Sequence, residues 1–185
     1  MDLEIKELTS EQKEDYFDFF DNHAFSDNPD WSGCYCYFYH CTDKAWEKRT
    51  AQQNKQDVGD LISSGCMRGF LAYMDGKPVG WCHADDKKNL ARLQEEGEKE
   101  TGAKSGAIVC FIIAPEYRRK GIATALLKRV CEDFKAKGYV YLEAYPRLKG
   151  KTDAENYHGP LDMYLGNGFV KVSEEKDFAA VKIEL

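Results

Sequence analysis

Ile108-Val-Cys-Phe-Ile-Ile113-Ala-Pro115-Glu-Tyr-Arg118-Arg-Lys-Gly121-Ile-Ala123-Thr-Ala-Leu-Leu-Lys-Arg-Val130-Cys-Glu-Asp-Phe134-Lys-Ala-Lys-Gly138-Tyr-Val-Tyr-Leu-Glu143-Ala-Tyr145 is the stretch that decides the fold of this chain. Six apolar residues, 108–113, have the character of a strand buried on both faces, as in a parallel pair bridged by a helix. Pro115 cannot donate to a sheet ladder and ends that strand. Ile122, Leu126, Val130 and Phe134 then recur every fourth residue, with Ala123, Leu127 and Cys131 beside them. That spacing predicts an amphipathic helix whose charged face carries Lys128, Arg129, Glu132, Asp133 and Lys135. Gly138 stands where a left-handed residue closes a helix, and residues 139–145 read as a second strand.

The turn between strand and helix carries chemistry. The first N–H groups of a helix lack internal partners, and the helix dipole adds positive charge there, so an anion such as a phosphate fits. Gly121 admits close approach of a ligand to the backbone, Ala123 keeps the wall small, and Arg118, Arg119 and Lys120 add cationic charge. No Gly-Lys-Ser/Thr follows, which excludes a P-loop, and the further glycines of the dinucleotide fingerprint are missing.

Arg118-x-x-Gly121-x-Ala123, after a strand ending in Pro115 and opening an amphipathic helix, resembles the acyl-CoA pyrophosphate loop of the GCN5-related N-acetyltransferases. The lead-in Phe111-x-Ile113-x-Pro115-x-x-Arg118 is similar to that family's fourth-strand pattern, and Tyr164-x-x-x-Gly168-Phe169 to its C-terminal motif. The likeness is specific over residues 70–185 and topological before them. It implies an α/β (α+β) fold, with a mixed, twisted sheet of about seven strands flanked by about four helices and an acyl-CoA cleft between the fourth and fifth strands. It also implies an enzyme that moves an acetyl group from acetyl-CoA directly to an acceptor amine. The expected partners are therefore acetyl-CoA and an amine, with neither nucleic acid nor membrane, and with a homodimer left open.

By the same resemblance, backbone groups at Phe111, Ile112 and Ile113 hold the acetyl and pantetheine end. Amides of residues 119–124, that is Arg119, Lys120, Gly121, Ile122, Ala123 and Thr124, hold the pyrophosphate, with Arg118 beside them. Tyr164 protonates the departing thiolate. The family often has Asn about seven residues before that tyrosine; here Tyr157 stands there, so the neighbouring Asn156 is the substitute. Two residues are candidates for the general base. Glu143 lies on a strand face rich in tyrosines, where desolvation would raise its pKa, and His83 has a naturally suitable one. Cys110 on the first strand has apolar neighbours that disfavour a reactive thiolate, so no acetyl-cysteine is expected.

Composition is compatible with this. A chain of 185 residues with 43% apolar and 13% aromatic content supports one folded domain, 1–185. A net charge of −6 argues against a general affinity for nucleic acid or anionic membrane. No apolar run approaches the ~20 residues of a membrane span, and no signal-like segment opens the chain, so the expected compartment is cytoplasmic, with the seven cysteines reduced.

Outward from the central stretch, residues 3–8 alternate as a strand, and Thr9 or Ser10 caps a helix over 11–22 with an aromatic face. Residues 23–41 are rich in aromatics and cysteine. If residues 34–40 are extended, Cys34, Cys36, Phe38 and His40 share one side. A structural zinc on Cys34, Cys36, His40 and Cys41 has poor spacing, so no metal is expected and a zinc-stabilised interaction protein is the lesser alternative. A packed aromatic segment and an acceptor-side loop are the other readings. Thr42 or Asp43 caps a helix to about residue 65, broken near 54–57. Residues 70–74 and 79–83 form a hairpin about Asp75-Gly76. Residues 86–104 read as a polar, solvated excursion, or as a lid. Pro160 opens a short helix ending at Gly166, and residues 169–172 and 178–183 close the chain as an antiparallel pair. A non-catalytic acyl-CoA sensor or assembly subunit is the rival from another class; it would keep the turn and tolerate loss of Tyr164.

Overall fold

The computed structural model describes residues 2–95 and 104–185. Seven strands form one sheet: β1 Leu3–Glu7, β2 Gly69–Met74, β3 Lys77–Asp86, β4 Ser105–Ile113, β5 Tyr141–Ala144, β6 Val170–Glu175 and β7 Phe178–Glu184. Their spatial order is β1-β2-β3-β4-β5-β7-β6. β4 and β5 are parallel and every other neighbouring pair is antiparallel. The helices among the described residues are α1 Lys13–Asp18, α2 Asp43–Trp46, α3 Ala51–Ser63, α4 Ala91–Glu95, α5 Ile122–Ala136 and α6 Leu161–Leu165. This is the mixed α/β sheet that the sequence led us to expect, with short helical segments beyond the four foreseen.

The expected helix is α5, and it bridges the one parallel pair, as a crossover must. Its Ile122, Leu126, Leu127, Val130 and Phe134 are buried against one face of the sheet. α1, the π-helical turn Phe19–His23 and α3 cover the other face, burying Tyr16, Phe19, Phe20, Val58 and Ile62 around Trp81. Asp75 and Gly76 both have positive φ, as the tight turn of the β2–β3 hairpin requires.

The feature that positions the site is the parting of β4 from β5. Their pairing ends at Ile108↔Ala144, and β4 continues alone to Ile113. At that point the β3 register jumps from His83↔Cys110 to Ala84↔Ile108, leaving Val109 as a bulge. A bulge bends its strand and increases its twist, here where the neighbour is lost. The bulge also keeps Ile108 and Phe111 together on the α5 side, while Cys110 and Ile112 face the cluster around Trp81.

Four local expectations are corrected. Residues 34–40 are not extended: Pro29–Cys34 and Tyr37–His40 are 3₁₀ turns joined by left-handed Tyr35 and Cys36. The break in the second helical region falls between α2 and α3, because Thr50 forms a capping box with Gln53 and starts a new helix. The strand expected over 139–145 is shorter: Tyr139 precedes β5 and packs on Phe134, 4.5 Å between ring centroids. Within 86–104, Leu90 and Leu93 are buried with Tyr39, Ala107 and Val109, so this part is packed and not a solvated loop. Residues 96–103 of that expected excursion lie outside the described residues.

Candidate active site

The α5 N-terminus is built to receive an anion. Gly121 is its N-cap with φ 82°, a left-handed conformation that favours glycine, and no side chain caps the helix. A Cβ on Gly121 would meet nothing within 4 Å, so conformation and not crowding calls for the glycine. The amides of residues 119–124 have no hydrogen-bond acceptor among the described residues. The first helical N–H groups therefore point out unpaired at the positive end of the helix dipole. Arg119 is itself left-handed at φ 60° and its side chain is exposed. Lys120 is exposed and sits over the Tyr117 ring.

Arg118 does other work. Its Nε donates to the Ile113 carbonyl at 3.0 Å, and its Nη1 and Nη2 donate to the Asp27 carboxylate at 2.5 and 3.1 Å. That fork holds the Asp27 carboxyl below the usual carboxylate range. Arg118 thus staples the turn to the end of β4 and to the 24–31 segment.

This turn borders a cavity of about 320 Å³. Phe111, Ile112 and Ile113 of β4 line it, with Arg118, Arg119, Gly121, Ile122, Ala123 and Thr124 of the turn and α5. Asn156, Tyr157 and Met163 line it too. The expected cofactor residues are thus brought together, except that Lys120 does not line the cavity. Asn156 lines it, but its amide donates to the Thr152 carbonyl at 2.9 Å and braces its own loop. The Phe111 N–H is already taken by the Tyr157 carbonyl at 2.5 Å, on the side from which β5 has withdrawn. Ile113, two residues on, presents its N–H to the same side, because strand groups alternate.

A second cavity of about 590 Å³ adjoins the first. Phe38, Tyr39, Trp46, Cys34, Cys36 and Cys110 are among its walls, together with Arg49 and Asn54. Phe25, Trp31, Ile112 and Tyr157 line both cavities. These four residues are common to the two linings. Burial first, and then the Cys110 thiol, push the Tyr157 phenol up to about 12. It is therefore protonated at neutral pH. Tyr39 also lines the second cavity, and its hydroxyl lies 3.4–3.5 Å from the His158 ring nitrogens.

The other expected catalytic residues stand apart. Tyr164 is fully buried, borders neither cavity, and donates its hydroxyl to the His158 carbonyl at 2.6 Å. Gly159-Pro160 delays α6, so the phenol closes that turn from within the core. Glu143 pairs with Ala107, well short of the open end of β4, and its carboxylate binds Lys87 Nζ at 2.6 Å. His83 is wholly buried, and burial together with His40 drives its pKa well below the usual range. Its ring stacks on His40 at 5.0 Å and borders neither cavity. Neither residue lines either cavity. Among the described residues no three His, Cys, Asp or Glu side chains converge as metal ligands.

Sequence reasoning did not single out Phe25, Trp31 or Tyr157 as site residues, although Phe25 and Trp31 fall in the 23–41 segment for which an acceptor-side loop is one reading. Tyr157 carried a signal, since it occupies the place where the resembled family has an asparagine facing the cofactor arm. The other two lie some ninety positions or more before the turn they face, and only the fold joins them.

Comparison with known proteins agrees with this geometry. The model of the "Acetyltransferase (GNAT) family" matches residues 5–150. No curated protein matches the sequence. Among solved structures, PaiA N-acetyltransferase from Thermoplasma acidophilum, in complex with coenzyme A, is similar at 16% identity and TM-score 0.61, over 100% of both chains. The GNAT domain of S. lividans PAT is similar at 13% identity and TM-score 0.63, over 98% of this chain and 89% of that one. The ribosomal-protein-S18-alanine N-acetyltransferase from Escherichia coli is similar at 12% and TM-score 0.55, over 99% and 94%. At such identities these likenesses establish the fold. The family match over most of the chain establishes more: the chain belongs to the acetyltransferase (GNAT) family, enzymes that take an acetyl group from acetyl-CoA.

Proposed function

We propose that acetyl-CoA lies in the first cavity, that an acceptor amine enters the second, and that the acetyl group passes directly between them beside Ile112 and Tyr157. The observation that carries this reading is that the two cavities share those residues. The open amides of 119–124 take the pyrophosphate, and the Ile113 N–H meets the thioester oxygen as charge develops on it. The amine nitrogen attacks the carbonyl carbon, a C–N bond forms, and the C–S bond breaks. The nitrogen sheds one proton and the sulfur gains one. Tyr157, at the junction and protonated, donates its hydrogen bond to the leaving sulfur. Tyr164 supports the fold behind it.

Direct transfer also fits the thiols. The hydrogen bond from Cys36 favours a Cys110 thiolate, but burial and the neighbouring thiols outweigh it and the pKa rises. A neutral, buried thiol is a poor nucleophile. The whole chain acts as one acetyltransferase domain, since β1 and β7 from its two ends join a single sheet. All seven cysteines are free. No described helix is long and apolar enough to cross a membrane.

Initial velocities measured with both substrates varied test the reading. Direct transfer predicts intersecting double-reciprocal lines. Parallel lines, the mark of a covalent acetyl-enzyme, would contradict it.

A further inference from the structure

The second cavity has a chemistry of its own. It is of the size used for small-molecule ligands, roughly 300–1,000 Å³, and its walls are mainly aromatic and thiol. The thiols carry no charge: burial raises Cys34 to about 12 and holds Cys36 well above the ordinary thiol range. Two of the polar side chains on its walls are already engaged. Arg49 donates to Asn54 Oδ1 at 2.7 Å and to Asp57 at 2.5 Å, and its guanidinium stacks over Tyr37. Asn54 gives its amide to the Gly33 carbonyl at 2.8 Å. The carboxylate on this lining is Asp30, exposed and without an ion-pair partner among the described residues.

We infer that the acceptor is a small molecule bearing one primary amine on an aromatic body. This rests on the assignment of the second cavity to the acceptor. Trp31 and Trp46 on its walls offer aromatic surface to a ring, while Phe38 already carries the Arg92 guanidinium over its face. The one exposed carboxylate on the lining, Asp30, matches one arriving ammonium. A polyamine or aminosugar would have to bury further ammonium groups beside Arg49 with no carboxylate to receive them. The same apolar walls lower the pKa of a bound amine by desolvation, and so supply the neutral nucleophile without a dedicated base. That accords with the absence of Glu143 and His83 from the junction.

The test is release of CoA from acetyl-CoA by the full chain, read with a thiol reagent. The acceptors are 2-phenylethylamine, tryptamine, spermidine, kanamycin and a lysine-containing peptide. The ring-bearing monoamines should exceed the others by at least about tenfold in kcat/KM, the scale of one well-filled apolar contact. Trp46→Ala should raise KM for tryptamine severalfold while leaving KM for acetyl-CoA in place. Faster turnover of spermidine, kanamycin or the peptide would overturn the inference and leave the acetyltransferase reading standing. An equal loss for every amine in Trp46→Ala would also overturn it. No release with any amine would overturn both.

Discussion

Two tyrosines seven residues apart have opposite assignments, and each can be tested alone. Tyr157 faces both cavities, whereas Tyr164 is sealed in the core with its hydroxyl on the His158 carbonyl. Tyr157→Phe removes a donor from the leaving sulfur and should lower kcat by roughly 10²-fold, with little change in melting temperature. Tyr164→Phe leaves a buried carbonyl unpaired and should cost about 1–3 kcal/mol of stability, with kcat within a few-fold of wild type. Steady-state kinetics with parallel melts separate the two; the reverse pattern would restore Tyr164 as the proton donor. Gly121→Ala asks a narrower question. It meets no neighbour but must hold φ 82°, so a loss of about 1–2 kcal/mol is expected from backbone strain alone.

At the scale of elements, α5 and its turn were legible because a helical period and an uncapped glycine start are local facts. The β2–β3 hairpin was legible through Asp75-Gly76 for the same reason. The parting of β4 from β5 was not. It depends on the Val109 bulge and on the Tyr157 carbonyl taking the Phe111 N–H, and no periodicity encodes either. Residues 34–40 misled because alternation suggests a strand, while two consecutive left-handed residues break it into turns. The role of Arg118 was also hidden, since Asp27 lies far from it in sequence. Arg118→Ala frees the turn from both β4 and the 24–31 segment. KM for acetyl-CoA should rise roughly 3- to 10-fold with kcat less affected, as lost positioning predicts. An unchanged KM would show that the staple does not order the cofactor wall.

At the scale of the whole molecule, burial of histidine sets a pH limit. Burial lowers His40 to about 4, and burial followed by Arg147 lowers His158 to about 3; burial and His40 hold His83 well down. Each binds fewer protons folded than unfolded, where the pKa is ~6.5. Their stabilisation is therefore complete above pH ~6.5 and is lost as pH falls from there through the folded values, about 4 for His40 and about 3 for His158. The slope is about 1.4 kcal/mol per pH unit for each histidine that stays neutral. Asp85, raised chiefly by burial, acts in the opposite sense at the acid end of this range. Urea unfolding at pH 7.5 and 5.5 should show a clear loss at the lower pH. Equal stability at both would contradict the neutral, buried state of these rings.

The most direct test of the site is thermal unfolding with and without acetyl-CoA, on the wild type and on Ala123→Glu. Ala123 lines the first cavity in the first turn of α5, so the variant places a carboxylate where the pyrophosphate is assigned. At a hundred times its Kd, acetyl-CoA should add about 2.7 kcal/mol to the wild type, a rise of roughly 5–10 °C for a chain of this size. The rise should vanish in Ala123→Glu while its ligand-free melt stays cooperative. An equal rise in both proteins would place acetyl-CoA away from this turn and contradict the account.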